Sequence, residues 1–192
     1  MNEALKNSKW LPIYLGALAT AVMALVLSLE GRIWWCKFGD ARIYVNQAWG
    51  SSHTSQHLFD PYTFTHVLHG ILFFWIAGWL FENLENRWRF LIALIAEAGW
   101  ELVENSSYVI QQYRENTASL DYFGDSVANS VGDVVACAAG FWIAVKIGWW
   151  RSLAFFLVVE VALLLWIRDS LLLNVVMLIY PLEWVKTWQS AV

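Results

Sequence analysis

The sequence predicts an all-α fold, a polytopic membrane helix bundle with about six transmembrane helices. Of the 192 residues, 59% are hydrophobic and only 15% are charged, whereas a soluble domain carries about 25% charged residues. Charged side chains are absent from long stretches, such as residues 10–29. No stretch alternates like a transmembrane β-strand, and a helix satisfies its own backbone hydrogen bonds in lipid. The elements are therefore expected to be membrane-spanning helices.

Six stretches approach the roughly 20 apolar residues that one span requires. They form a single transmembrane domain over 1–192, with an outer loop at 30–61 and spans at approximately 10–29, 62–81, 88–109, 122–147, 152–168 and 170–186. The first could instead be a cleaved signal peptide, but its apolar run is longer than a signal core and lacks a small-residue cleavage site. The sixth is short and contains Asn174 and Pro181, so a tilted or partly re-entrant segment is the alternative there.

The distribution of lysine and arginine sets the expected orientation. With the N-terminus inside, the short inner segments hold more of these residues than the outer ones, which is the usual bias of membrane proteins. Several tryptophans lie near predicted span ends, where interfacial tryptophan is enriched. The sequence therefore predicts that the N-terminus and the C-terminus are both cytoplasmic.

Composition also excludes some classes of function. The net charge is −4 and the basic residues are scattered, so the basic stripe of a nucleic-acid-binding protein is missing. No glycine-rich phosphate loop follows a strand pattern. The two cysteines, Cys36 and Cys137, predict neither a disulfide nor a zinc-finger spacing.

The third predicted span carries an unusual set of carboxylates. At 100° per residue, Glu97, Glu101 and Glu104 fall within an arc of roughly 60° on one helix face, with Asn105 beside them. One charge at the bilayer centre costs about 2.5–3.5 kcal/mol on insertion scales. The face is therefore expected to point into the protein or into a wet cavity.

Two other predicted spans place polar groups at matching depths. The second has His66 and His69 one turn apart, and the fourth has Asp125, Asn129 and Asp133 within an arc of roughly 80°. All lie within roughly 5–16 Å of the outer end of their spans, at a rise of about 1.5 Å per residue. The sequence therefore predicts one polar pocket in the outer half of the bilayer.

Structural roles are the alternative for several of these residues. Glu104 and Asp125 lie near helix ends, where they could be solvated or cap a helix. Asn105 and Asn129 could be hydrogen-bonding contacts between helices. Trp100 could line a substrate cleft or pack in the core. The deeper carboxylates could form a purely structural hydrogen-bond network.

Three stretches resemble one protein family: "SQHLFDPYTFTHVLHG", "EAGWELVENSSYVIQQYRENT" and "LDYFGDSVANSVGDVVA". It is a bacterial inner-membrane family of unknown function, found mainly in alphaproteobacteria. The resemblance implies a place in the bacterial inner (plasma) membrane and supplies no mechanism. Along the chain, histidine is followed by glutamate and then by aspartate, asparagine and glycine. This order is also distantly similar to VanZ-like membrane proteins, and that similarity suggests a role in the cell envelope.

So many carboxylates cannot all be ionised together in a medium of low dielectric. They must be protonated, paired with histidine or neutralised by a cation. Histidine with carboxylates suits zinc or iron, and carboxylates alone suit magnesium or manganese. The candidate metal ligands are His66, His69, Glu97, Glu101, Asp125 and Asp133.

The leading hypothesis is a membrane-embedded, metal-dependent hydrolase or transferase of a lipid or lipid-linked cell-envelope substrate. The candidate catalytic residues are His66, His69, Glu101, Glu104 and Asp125. The candidate substrate-binding residues are Arg114, which would meet a phosphate, and Asn105, Asn129 and Trp100. One alternative is a non-enzymatic protein that binds envelope lipid or antibiotic, or an accessory subunit. A proton or ion conduit is less favoured, because the polar residues occupy one half of the bilayer. Membrane lipids are the expected partners.

Overall fold

The computed structural model describes residues 8–48, 51–117 and 119–190, so Lys6 of the charge argument and part of the predicted domain 1–192 lie outside it. The described chain is all-helical, as predicted. Its helices are α1 (Leu11–Leu29), α2 (Thr63–Leu80), α3 (Asn86–Glu104), α4 (Ser107–Asn116), α5 (Val127–Ile147), α6 (Trp149–Ile167), α7 (Leu171–Ile179) and α8 (Glu183–Ser190). An isolated bridge between Tyr44 and Phe59 ties the loop between α1 and α2 together.

Within the described residues, four helices are long and apolar enough to cross a membrane: α1, α2, α5 and α6. Helix α3 has 19 residues, a length of roughly 28 Å, but carries its glutamates along one side. Its Glu97 and Glu101 are fully buried, and the helix packs against α1, α2 and α5. The carboxylate face of α3 therefore points into the bundle.

The structure does not confirm six membrane spans. Predicted span 88–109 breaks after Glu104, and Ser106 starts α4 by accepting a hydrogen bond from the Val109 N–H through its side chain. Predicted span 170–186 breaks at Tyr180 and Pro181 into two short helices. The nine residues of α7 reach only about 13.5 Å, far less than the roughly 30 Å of a bilayer core.

One end of the bundle, here called the polar end, is defined by contacts at Asp125 and Asp169. Arg32, just after α1, donates to the carbonyl of Asp125 before α5 at 3.2 Å. Tyr62, at the start of α2, donates to the carboxylate of Asp169 after α6 at 3.0 Å. Helix α8 ends there as well, since the Gln189 amide donates to the Arg168 carbonyl at 3.1 Å.

The first and the last described helices lie with their outer ends at opposite ends of the bundle, which does not support the expectation that both termini lie on one side. Helix α1 runs toward the polar end and so begins at the opposite end, whereas α8 finishes at the polar end. The sequence interpretation counted 170–186 as a full crossing. Because that segment turns back at Pro181, α8 returns to the polar end of the bundle.

Helices α2 and α5 form the most extensive contact of the bundle. A Cβ atom on Gly70 would overlap the backbone carbonyl of Cys137, and one on Gly140 would overlap the carbonyl of Val67. Glycine at both positions therefore permits the two backbones to touch. The same approach seats the polar faces of the two helices beside each other.

Replacing Gly70 by alanine is expected to lower the free energy of unfolding by about 1–3 kcal/mol, because the added methyl overpacks a rigid backbone contact. Thermal unfolding in detergent measures the change. Gly78→Ala on the same helix is the control, since its Cβ would meet only the end of the Arg89 side chain at 3.7 Å. Equal melting temperatures for the two variants would contradict the close packing of α2 and α5.

The loop before α2 ends in a buried carboxylate. Asp60 is 1% exposed and accepts hydrogen bonds from the Ser55 N–H at 2.9 Å and the Tyr62 N–H at 2.8 Å. Burial raises the pKa of Asp60 from its ordinary 3.8 to about 6, despite these two donors. The folded state therefore holds this proton more tightly than the unfolded chain.

The raised pKa of Asp60 predicts that stability falls as the pH rises from about 4 to about 6, because folding then has to bury an ionised carboxylate. The loss from this residue is about 3 kcal/mol, since one pKa unit corresponds to about 1.4 kcal/mol. Unfolding free energies of the wild type and Asp60→Asn across this range measure it. The wild-type curve should drop more steeply, and parallel curves would contradict the assignment to Asp60.

Candidate functional site

Two histidines share one buried carboxylate at the centre of the bundle. Glu97 on α3 is fully buried, and its Oε1 lies 2.6 Å from His66 Nδ1 on α2. The same carboxylate lies 3.0–3.1 Å from His69 Nδ1. Because a carboxylate only accepts hydrogen bonds, both Nδ1 atoms carry the hydrogen. Each ring then directs its Nε2 away from Glu97.

The helix geometry explains why these groups meet. His66 and His69 are three residues apart on α2, so their side chains are neighbours on one face, with ring centroids 5.0 Å apart. Gly70, one turn after His66, contacts α5. Helix α2 thus packs against α5 at Gly70 while its neighbouring histidines reach Glu97 on α3.

Several carboxylate oxygens around the histidines have no hydrogen-bond partner among the described residues. They are both oxygens of Glu101, Oε2 of Glu104 and Oδ1 of Asp133. Glu101 Oε1 is 3.4 Å from His66 Nδ1, and Asp133 Oδ2 is 3.9 Å from His66 Nε2. Buried unpaired charge is costly. This cluster therefore needs added protons or a cation.

Two groups of side chains in the cluster have the spacing to hold a metal ion. In each group the ligand atoms lie within 4.8 Å of one another: His66, His69 and Glu97 form one, and His66, Glu101 and Glu104 form the other. His66 belongs to both. The structure thus brings together four of the six predicted metal ligands, while Asp125 and Asp133 are not members of either group.

Asp125 is held by hydrogen bonds on both carboxylate oxygens. Asn105 donates to Oδ2 and Tyr122 donates to Oδ1, each at 2.9 Å. In return the Asp125 N–H donates to the Asn105 side-chain oxygen at 2.7 Å. These bonds join the end of α3 to the start of α5. They favour a structural role for Asn105 and Asp125, which was one of the two readings of the sequence.

A cavity of about 470 Å³ opens beside the histidines. Its wall is formed by Thr54, Ser55, Tyr62, Thr65, His66, His69, Phe73, Ala96, Gly99, Trp100, Val103, Glu104, Tyr113, Ser119, Tyr122, Asp125, Asp133, Leu171, Asn174 and Val175. Glu97 and Glu101 do not line it and lie behind the histidines. Trp100 does, and its ring meets that of His69 edge-on at 6.1 Å.

Two predicted substrate-binding residues lie away from this wall. Arg114 is exposed, and its guanidinium donates to the main-chain carbonyl of Tyr122. Asn129 is buried, and its backbone N–H is capped by Ser126 at 3.1 Å. Its side-chain Nδ2 has no hydrogen-bond partner within the described chain. The geometry therefore gives Arg114 no contact with a molecule in the cavity.

Sequence reasoning missed a group of tyrosines and their partners. Tyr113 donates to Glu104 Oε1 at 2.9 Å and lies 3.1 Å from the Asn174 side-chain oxygen. Tyr62 donates to Asp169 at 3.0 Å. The signal available was Asn174, a polar residue in an apolar stretch. The tyrosines gave none, because this residue type is common at membrane interfaces.

The chain matches the family model described as "Protein of unknown function (DUF2585)" over residues 27–191. It belongs to this family. A UPF0314 protein of Brucella anthropi is 43% identical over 170 residues, covering 88% of this chain and 86% of the relative. UPF0314 proteins of Rhizobium meliloti, 43% identical over 95% of this chain and 91% of the relative, and of Paracoccus denitrificans, 42% identical over 94% and 93%, are also similar.

No solved structure matches the chain significantly. Membership in the family confirms the resemblance seen in the three sequence stretches. The family is uncharacterised and mainly alphaproteobacterial in its relatives. The chemistry of this DUF2585 chain must therefore be argued from its own side chains.

Removing the Asn105 side chain should destabilise the protein by about 2–3 kcal/mol, because it leaves Oδ2 and the N–H of the buried Asp125 without their Asn105 partners. Asn105→Ala, unfolded thermally in detergent, tests this. Asn83→Ala changes the same residue type at an exposed turn and should have little effect. If both variants melt together, Asn105 does not join α3 to α5.

Proposed function

We propose that this protein is a bacterial inner-membrane enzyme, a metal-dependent hydrolase or transferase of a lipid or lipid-linked cell-envelope substrate. One observation carries the proposal: two histidines, both oriented by a buried Glu97, face a cavity inside an apolar bundle. A carboxylate that fixes the Nδ1–H of a histidine is the usual outer partner of metal-binding and catalytic histidines.

A divalent cation accounts for the unpaired carboxylates. His66, Glu101 and Glu104 would supply one nitrogen and two oxygens, a set that suits zinc, iron or manganese. The cation would neutralise charge that the apolar bundle cannot solvate. It would also lower the pKa of a bound water and make it a nucleophile near neutral pH. His69, whose ring centroid lies 5.0 Å from that of His66, would accept the proton.

The cavity wall favours an amphiphilic substrate. No lysine or arginine lies among its described lining residues, so a phosphate or ester head group would be held mainly by the cation. Apolar side chains such as Phe73, Val103 and Val175 line another part of the wall and would accommodate the hydrophobic portion. This combination fits a lipid better than a freely soluble anion.

We place the polar end on the outer side, with five helices crossing the membrane. Lys186 lies at the polar end, since it donates to the Glu115 carbonyl, and is therefore on the outer side in this arrangement. The orientation rests on how densely the remaining lysines and arginines lie around the helix ends. Lys9, Arg87, Arg89 and Arg151 lie close to the helix ends at the opposite side, as cytoplasmic residues do. The α7–α8 segment then covers the outer face.

Glu101→Gln is expected to lower the metal content by one equivalent, because an amide replaces an anionic ligand. Elemental analysis of the purified protein, washed free of loose ions, measures the content. Glu82→Gln, an exposed glutamate at the far end of α2, is the matched control and should keep the full complement. An unchanged metal content in Glu101→Gln would contradict a cation held by Glu101.

Turnover is tested by incubating the protein with phospholipids and isoprenoid-linked phosphates in mixed micelles and following products by mass spectrometry. We expect product with the wild type and Glu82→Gln, and a loss of at least about 100-fold in His66→Gln. Chelation should stop the reaction and added metal should restore it. Ligand-induced thermal stabilisation without product for any substrate would favour the non-enzymatic binding alternative.

A further inference from the structure

A second cluster of metal-binding side chains lies in the loop between α1 and α2, apart from the cavity histidines. Cys36, His53 and His57 place one ligand atom each within 4.8 Å of one another. The proposed function leaves all three unassigned. Cys36 and His57 are buried, and His53 has a quarter of its side chain exposed.

The distances within this cluster match the edges of a tetrahedral zinc site. Cys36 Sγ lies 3.4 Å from His53 Nδ1, and His57 Nε2 lies 3.3 Å from the same nitrogen. With Zn–S of about 2.3 Å and Zn–N of about 2.0–2.1 Å, tetrahedral angles place sulfur and nitrogen about 3.5 Å apart and two nitrogens about 3.3–3.4 Å apart. Three side chains of this one loop thus already stand at ligand spacing.

The positions of the hydrogens on the two imidazoles favour a bound cation over a set of hydrogen bonds between the three side chains. His57 Nδ1 lies 2.6 Å from the Arg42 carbonyl, which only accepts, so this nitrogen carries the hydrogen and Nε2 presents a lone pair. His53 Nδ1 must face that lone pair and the Cys36 sulfur at once. One hydrogen on Nδ1 satisfies only one of these neighbours well, whereas a cation satisfies all three.

The neighbouring residues supply a fourth ligand position and hold the three ligands in place. Asp40 Oδ2 lies 3.9 Å from His53 Nδ1 and 4.0 Å from His57 Nε2, and it is also paired with Arg42. The carboxylate or a water can complete the tetrahedron after a small shift. Trp35 fixes this turn by donating to the Asp40 carbonyl at 2.7 Å, and its ring packs edge-on against His57.

We propose that Cys36, His53 and His57 bind one zinc ion, with Asp40 or water as the fourth ligand. Binding releases the thiol proton of Cys36 to solvent and leaves a thiolate on the metal. The zinc ion would have a structural role, because it would hold in place the part of the loop that lines the cavity. Thr54 and Ser55, which lie between the two histidine ligands, line the cavity, and Ser55 has a strained φ of 56°.

Cobalt substitution of the full-length wild-type protein in detergent tests the site without any mutation. We expect a thiolate-to-cobalt charge-transfer band at one equivalent of Co²⁺, bleached by one equivalent of Zn²⁺. Zinc should also protect Cys36 from alkylation, located by peptide mass spectrometry, and a chelator should restore its reactivity. Absence of the band together with unprotected Cys36 would overturn the proposal.

Variants assign the band to this cluster. Cys36→Ser should abolish it, while Cys137→Ser, which changes the other cysteine, in α5, should retain it. A band that follows Cys137 would overturn the proposal. Glu101→Gln should keep the cobalt band even if it loses the cavity metal. The proposed zinc site and the proposed cavity metal can therefore be disproved separately. If Cys36→Ser does not fold, the wild-type cobalt spectrum and alkylation pattern still decide.

Discussion

The polar interior depends on the hydrogen bonds that one buried carboxylate accepts from two histidines. Glu97 bonds the Nδ1 atoms of His66 and His69 from within an apolar bundle. An ionised glutamate alone at this position would be strongly destabilising. Shared between two N–H donors, it becomes a fixed acceptor that also aims both Nε2 atoms away from itself.

The rest of the bundle makes this arrangement possible. Glycines on α2 and α5 let those helices touch, so that Asp133 comes within 3.9 Å of His66. Asn105 ties the end of α3 to Asp125 at the start of α5. Glu160 on α6 caps the short helix α7 by accepting hydrogen bonds from the N–H groups of Leu171 and Leu172. Buried polar residues thus hold the helix ends as well as the site.

Helical periodicity was sufficient to predict the site-bearing face of α3 and its match with α2. It placed Glu97, Glu101, His66 and His69 together because a regular helix converts spacing directly into direction. It failed where side chains break a helix. Sequence hydropathy continued the third span through Asn105, whereas Ser106 caps a new helix there.

Long-range contacts lay beyond sequence reasoning. The spacing of Cys36, His53 and His57 matches no local motif, and the loop fold alone brings them together. The tyrosines of the cavity wall are bound to acids from distant segments, as Tyr62 is to Asp169. The turn at Pro181 was visible in the sequence, but its effect on the side reached by α8 depends on the contact of Gln189 with Arg168.

The central claim is that a divalent cation neutralises the carboxylates behind the cavity histidines. Anomalous diffraction from crystals of the metal-loaded protein, measured on both sides of the metal absorption edge, tests it most directly. The account predicts an anomalous peak within about 2–2.5 Å of ligand atoms of His66, Glu101 and Glu104. An empty map at this position, with Glu101 and Glu104 paired as hydrogen-bonded acids, would contradict it.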